Sequence, residues 1–255
     1  MPRFILYNIE YCEGTTKGLY QYLNLFRAVR SKKELDSQMV DFLKTLSPDI
    51  LALVEVDSGS LRSRHQDQSA RFMNKLNLKN LAYSVKYPLV GFFRIFRKMP
   101  IFKFQGNALL SKYSFGEIKY HYLSKGTKRV VIQATANLPD PITFLIVHLA
   151  LRKKTRLKQL KEVAELVNNV KNPVFLAGDF NTFSTEELDF LMKETELVDA
   201  YHFNNKKIKF TEPSWKPKYR LDNILVSPQI RITNYEIIDV RFSDHLPVLV
   251  DFELI

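Results

Sequence analysis

The chain has 255 residues, 45% hydrophobic and 25% charged, with a formal net charge of +11, the balance of a globular protein large enough for one sizeable core. No stretch free of Asp, Glu, Lys and Arg exceeds eleven residues (141–151), which excludes a transmembrane helix of about 20 apolar residues. The single cysteine, Cys12, excludes an internal disulfide and a Cys-rich zinc module. With no apolar run of signal-peptide length at the start, the expected location is the cytoplasm.

Residues 4–9 read as an opening strand, and residues 49–55 as a central strand that is nearly all apolar and hence buried on both faces. Between them, residues 32–46 place Leu35, Met39, Phe42, Leu43 and Leu46 at helical spacing, and Ser47-Pro48 stops the helix. A weaker helix covers residues 64–76. Four strands follow at 105–111, 116–123, 129–138 and 142–149, separated by Gly, Lys and Pro turns. Residues 155–170 form a helix with Leu157, Leu160, Val163, Ala164 and Val167 on one face. A buried strand comes next at 174–177. Ser184-Thr185-Glu186-Glu187 then opens another helix with an acidic first turn. Strands at 222–226, 235–240 and 247–252 close the chain. Strands outnumber helices in a mixed order, which favours α+β or a layered α/β sandwich over a doubly wound sheet. No repeat or linker divides the sequence, so one domain spanning 1–255 is expected.

The charge is concentrated. Residues 68–116 hold nine Lys or Arg and no acid, residues 152–161 hold six, and residues 206–220 hold six against Glu212 alone. Such fields attract polyanions, and a partner carrying phosphate is favoured over the plainer reading of a solvated surface.

Polar residues stand at the ends of apolar strands. Asn8 ends the first, Glu55 the second and His148 the strand at 142–149. Asn107 lies inside 105–111, and Asp179 and Asn181 follow 174–178. Asp222 opens 222–226, and Asp244-His245 precede the last strand. Each alone is explained as a turn former, helix cap or satisfied core histidine. Together they offer hard oxygen and imidazole groups where a sheet gathers them in one crevice. Carboxylate and amide oxygens without thiolate favour Mg²⁺ or Mn²⁺, and histidines beside carboxylates supply proton transfer and hydrogen-bond donors. That chemistry suits phosphate-ester hydrolysis.

The strings Gly178-Asp179-Phe180-Asn181, Leu221-Asp222-Asn223-Ile224 and Ser243-Asp244-His245-Leu246-Pro247 resemble the endonuclease/exonuclease/phosphatase superfamily. Upstream, Asn8-Ile9, Leu53-Val54-Glu55, Gly106 to Ser111 and Val147-His148-Leu149 match in order and approximate spacing. The resemblance spans residues 4–252. It implies a four-layer sandwich of two mixed β-sheets packed face to face, with helices on both outer faces. It also implies a divalent-metal-dependent phosphodiesterase or phosphatase. In it Glu55 binds the metal with Asn8 beside it, and Asp244 lies near a second metal position. His245, paired with Asp222, activates water or stabilises developing charge. Asp179 orients the nucleophile, Asn181 donates to the scissile phosphate, and His148 donates to the phosphate or the leaving oxygen. The His148-Leu149 pair resembles the DNase I-like, sphingomyelinase-like and phosphatase branches rather than the abasic-site endonucleases.

Residues 86–104 hold five Phe and five Lys or Arg. Their aromatic rings pack into the core, stack on bases, or dip into an anionic membrane surface. Arg94, Arg97, Lys98 and Asn107 are the candidate substrate contacts. The recurrence of basic segments points to a nuclease acting on DNA or RNA. A phospholipid or sphingolipid phosphodiesterase at a membrane surface, or a phosphatase, is the alternative.

Overall fold

A computed structural model describes residues 1–18, 20, 33–86, 104–203 and 209–255. Arg94, Arg97 and Lys98 lie outside the described residues. Twelve strands and four α-helices are found among those described: β1 (Arg3–Asn8), α1 (Lys33–Leu46), β2 (Ile50–Asp57), α2 (Gln68–Lys75), β3 (Asn80–Val85), β4 (Gln105–Ser111), β5 (Phe115–Tyr122), β6 (Val130–Ala136), β7 (Ile142–His148), α3 (Lys153–Asn168), β8 (Val174–Asp179), α4 (Thr185–Thr195), β9 (Val198–Asp199), β10 (Asp222–Val226), β11 (Ile230–Ile237) and β12 (Val248–Leu254). They form two six-stranded sheets, ordered β11-β12-β1-β2-β4-β3 and β5-β6-β7-β8-β10-β9. Each sheet is mixed. β1 runs parallel to β2 and β7 parallel to β8, and the neighbours outside these two pairs are antiparallel. A parallel pair needs a crossover, which α1 and α3 supply.

The alternation of side chains along each central strand dictates the layers. Phe4, Leu6, Ile50, Ala52 and Val54 of one sheet meet Ile132, Phe144, Ile146, Phe175 and Ile224 of the other in a core between the sheets. Phe175 is its centre, with ring centroids 4.6 Å from Phe4, 5.1 Å from Phe144 and 5.2 Å from Phe252. Burial of each such ring stabilises the fold by about 1.5–3 kcal/mol. The opposite faces take the helices. Ile5, Tyr7, Leu51 and Leu53 pack under Met39, Val40 and Leu43 of α1 and Phe72 of α2. Leu145, Val147 and Leu176 pack under Leu160, Val163 and Val167 of α3 and Leu188 and Leu191 of α4. The order helix, sheet, sheet, helix is the expected four-layer sandwich. No helix of the described residues is long and apolar enough to cross a membrane.

Two strands go unread in the sequence. β3 is an edge strand in which only Ala82 and Ser84 are buried, so its apolar alternation is faint. β9 has two residues. The strand expected to end at Glu55 continues to Asp57 through a bulge. Leu53 pairs with Ala108 and Val56 with Gly106, so the register slips across Val54 and Glu55. Glu55 takes a left-handed φ of 56°, as a residue thrown out of a ladder does.

Candidate active site

The sheet edges carry the polar residues into one place. In the second sheet His148 is in register with Asp179, and Asp179 with Asp222, so three strands present one row of side chains. Gly178 lets β8 approach β7 here. A Cβ at that position would stand 1.9 Å from the Val147 carbonyl oxygen. From the first sheet come Asn8 at the end of β1 and Glu55 in the bulge of β2. The segment before β12 is tied to β1 by Ser243 Oγ, which donates to the Asn8 carbonyl at 2.7 Å, and it carries Asp244 and His245 to the same edge.

Asp179 is the hub. Its Oδ2 accepts from Asn8 Nδ2 at 3.1 Å and lies 3.3 Å from His148 Nε2 and 4.0 Å from His245 Nε2. Its Oδ1 accepts from the Asn181 backbone N–H at 3.0 Å. Asn181, at a left-handed φ of 51°, donates Nδ2 to the Leu149 carbonyl at 2.9 Å. Burial acts to raise the Asp179 pKa, but His148, His245 and Lys128 outweigh it and hold the carboxyl below its usual range. It is ionised at neutral pH. Behind His245, Asp222 Oδ2 sits 2.7 Å from Nδ1. Burial works to lower the His245 pKa, and Asp222 and Asp244 overcome it and hold the imidazole well above its usual value. His148 goes the other way. Burial and then Lys128 lower its pKa, against the opposing pull of Asp179 and Glu55. Paired groups pushed in opposite directions are what acid–base work requires.

Glu55 Oε1 lies 3.3 Å from Lys128 Nζ and 3.7 Å from His148 Nε2. Lys128, His148 and Lys86 together overcome the upward push of burial and lower the carboxyl pKa to about 2. Asn107 Oδ1 accepts from the Glu55 backbone N–H at 3.3 Å, so this residue secures the bulge.

A cleft of about 640 Å³ opens over the cluster and is lined by Asn8, Glu55, Asp179, Asn181, Asp244 and His245 of the expected set. Asp222 lies behind His245. Asn107 and His148 border a separate recess of about 10 Å³. Sequence reasoning missed six other charged lining groups: Glu10, Glu13, Arg62, Lys86, Lys128 and Glu212. Glu10 and Glu212 are both held towards their protonated form. Burial and then Asp244 push Glu10 up to about 8, against hydrogen bonds from Thr15. Burial raises Glu212 to about 7 with the help of Asp244, Asp179 and Asp222, against His245. Arg62 pairs with Glu13 at 2.5 Å and lies over the Tyr11 ring at 4.7 Å. Glu10 and Lys86 come just after β1 and β3, and the others lie in loops, where charged residues are ordinary, so no pattern marks them.

Among the described residues no group of three or more His, Cys, Asp or Glu side chains closes into a metal cage. A magnesium-type ion needs less, binding through one or two carboxylates with water and substrate oxygens completing the shell. The hard oxygens of Glu55, Asn8 and Asp244, and the crowded carboxyls raised by one another's charge, fit such a cation.

The family model for the endonuclease/exonuclease/phosphatase family matches residues 7–245. The chain belongs to this family. Among family-like solved structures, the fold resembles the mannosyl-6-phosphatase Bt3783 of Bacteroides thetaiotaomicron, with a TM-score of 0.73, 15% identity and 100% of each chain covered. It also resembles the human Nocturnin catalytic domain with bound sulfate, with a TM-score of 0.70, 19% identity, and 100% of this chain and 93% of that one covered. Protein YbhP of Escherichia coli K12 is 32% identical over 128 residues, 48% of this chain and 51% of YbhP. The chain spans between about a third and a half of the length of the curated relatives it matches. Members of the family are hydrolases of phosphoester bonds, and this family member has the corresponding sandwich.

Proposed function

We propose that the protein is a divalent-metal-dependent hydrolase of phosphate esters that works by water attack on phosphorus. The observation that carries this reading is the row His148–Asp179–Asp222, with His245 Nε2 4.0 Å from Asp179 and Nδ1 2.7 Å from Asp222, beside Glu55. A bound Mg²⁺ or Mn²⁺, held by Glu55 with Asn8 and Asp244, supplies polarisation of a phosphate oxygen and shielding of its charge. The remaining work belongs to side chains. Asp179, ionised and held by Asn8, accepts a hydrogen bond from the attacking water and aims its lone pair. His245, kept cationic by Asp222, donates to the oxygens that gain charge, and Asn181, which lines the same cleft, donates to the phosphate. Water's oxygen bonds to phosphorus as the ester P–O bond breaks. One water proton passes to Asp179, and the leaving oxygen is protonated by solvent. Phosphoryl transfer is catalysed chiefly by such positioning and charge stabilisation.

Nucleic acid is the substrate class that the net charge of +11 favours. Two cations of the basic segments are engaged internally, however: Arg156 with Glu187 and Arg220 with Asp199. A second reading, a phosphatase, is favoured by the two lysines in the cleft. Membrane phospholipid is the third arm of the same test. Plasmid DNA, RNA, phospholipid vesicles and phosphate monoesters are assayed side by side with Mg²⁺ or Mn²⁺. Hydrolysis of at least one should stop in EDTA, return with metal, and fall by orders of magnitude in Glu55→Gln. Full activity in chelator removes the metal mechanism.

A further inference from the structure

We propose that Gln159, which lies outside the cleft, is a positioning residue of the site: it fixes the turn between β5 and β6 and so holds Lys128 against Glu55. The catalytic meaning of that contact rests on the phosphate-ester reading above, whereas the contact itself is geometric. Gln159 is fully buried on α3. Its Nε2 donates to the Lys125 carbonyl at 2.8 Å and to the Lys128 carbonyl at 2.7 Å, and its Oε1 accepts from the Ala150 N–H at 2.8 Å. Both amide hydrogens and the oxygen are engaged, and the flipped amide would set its oxygen against two carbonyls.

The turn needs such an anchor. β5 is the edge strand of its sheet, most of its side chains are exposed, and its register with β6 shifts between Phe115 and Ile118. A hairpin end supported by so few buried contacts is weakly held by its own strands. Instead α3 grips it from two neighbouring positions on one helix face. Glu162, one turn beyond Gln159, accepts from the Ser124 N–H at 2.7 Å and from the Ser124 hydroxyl. Gly126, at a φ of 95°, closes the turn over Gln159, where a Cβ would stand 2.9 Å from Nε2. A side chain at that position would press the turn off the helix.

The effect reaches the other sheet. Lys128 leaves this turn, lines the cleft, and brings Nζ within 3.3 Å of Glu55 Oε1, the oxygen that also lies 3.7 Å from His148 Nε2. Lysine has a long flexible stem, so its head is placed only as well as its backbone is. The Lys128 carbonyl is itself one of the groups that Gln159 holds. The bond from Ala150, whose own carbonyl receives Arg156 Nη1 at 3.0 Å, fixes the orientation of the amide.

Three variants test the assignment: Q159M, which keeps the volume and removes the hydrogen bonds; G126A, which displaces the turn while Gln159 stays; and K128M. Acetylation by N-hydroxysuccinimidyl acetate without metal, read by mass spectrometry, compares Lys128 with the exposed Lys125 of the same turn. Relative labelling of Lys128 should rise several-fold in Q159M and in G126A, with circular dichroism showing that the labelled protein is folded. Turnover of p-nitrophenyl phosphate and bis(p-nitrophenyl) phosphate is followed with Mg²⁺. In Q159M, kcat/KM should fall about tenfold or more, the usual loss when support behind a site residue is removed. Either change should cost far less in K128M, because the path through the lysine is already gone. Should Q159M not fold, G126A decides alone, by labelling and by the same cycle. Unchanged Lys128 labelling in a folded variant, unchanged turnover in K128M, or fully additive losses overturn the proposal and leave Gln159 as a packing residue. Increased Lys128 labelling in a protein that hydrolyses neither ester upholds the positioning and overturns the hydrolase reading instead.

Discussion

Arg156 shows how far a single side chain can depart from its place in a charge pattern. It belongs to a run of six cations that reads as a polyanion-binding surface. In the fold it is buried on α3. It makes a two-pronged pair with Glu187 of α4 at 3.1 and 3.0 Å and donates to the Ala150 and Leu151 carbonyls at 3.0 and 2.6 Å. These bonds clamp the two outer helices to the loop that follows His148. Removing one partner strands the other charge. Arg156→Ala should therefore destabilise the protein by about 3–5 kcal/mol, whereas replacing Arg156 and Glu187 together by apolar residues should cost far less. Urea unfolding of the single and double variants measures the difference. Equal losses would mean that the ion pair contributes little beyond packing.

At the scale of elements, the bulge in β2 is the device that aims Glu55. A regular strand would turn that side chain towards the core or the helices. The slipped register and the left-handed φ of 56° turn it into the cleft instead, and Asn107 on β4 secures the displaced backbone. Asn107→Ala should leave the fold intact, with a loss of about 1 kcal/mol. If Glu55 holds the metal as proposed, the change should raise the Mg²⁺ or Mn²⁺ concentration needed for half-maximal activity by about 10–100-fold, the usual effect of removing support behind a metal ligand. Asn107→Asp, which keeps the accepting oxygen, should do less harm. A metal titration of activity, read beside thermal unfolding, distinguishes the two effects. The same bulge marks the boundary of what the sequence discloses. Apolar runs such as residues 4–7, 50–54 and 142–147 are legible because strands buried on both faces leave no room for polar residues. The polar residues that end them are legible for the same reason. Lys86, Lys128, Glu10 and Glu212 are not, since charged residues beside turns look alike whether they face solvent or a cleft. Nor does periodicity announce that one glutamate within a strand has left its ladder.

For the molecule as a whole, β12 lies between β1 and β11, and Arg3 and Asp251 face each other across the β1–β12 pair. Arg3 Nε donates to Asp251 Oδ1 at 2.8 Å. Burial acts to raise the Asp251 pKa, but hydrogen bonds from Arg3 and Asn234 outweigh it and lower the value. The folded carboxyl thus ionises at lower pH than an unfolded one, near pH 3.9. Its contribution is complete above that value and disappears as pH falls through the folded pKa. The Tm difference between wild type and Asp251→Asn should accordingly be constant from pH 7 to about 5 and shrink below about 4. A difference that grows in acid would show that the aspartate is not held by Arg3. The position of β12 also bears on synthesis. The strands of the second sheet, β5 to β10, are consecutive between residues 115 and 226. A chain emerging from the ribosome can complete that sheet while the first still lacks β11 and β12. Pairings so distant in sequence form late, and His245 enters only with the segment that leads into β12. Between residues 222 and 243 the growing chain therefore holds every group proposed for catalysis except Asp244 and His245, and competence for the proposed hydrolysis arrives at once, when the final strand closes against the first.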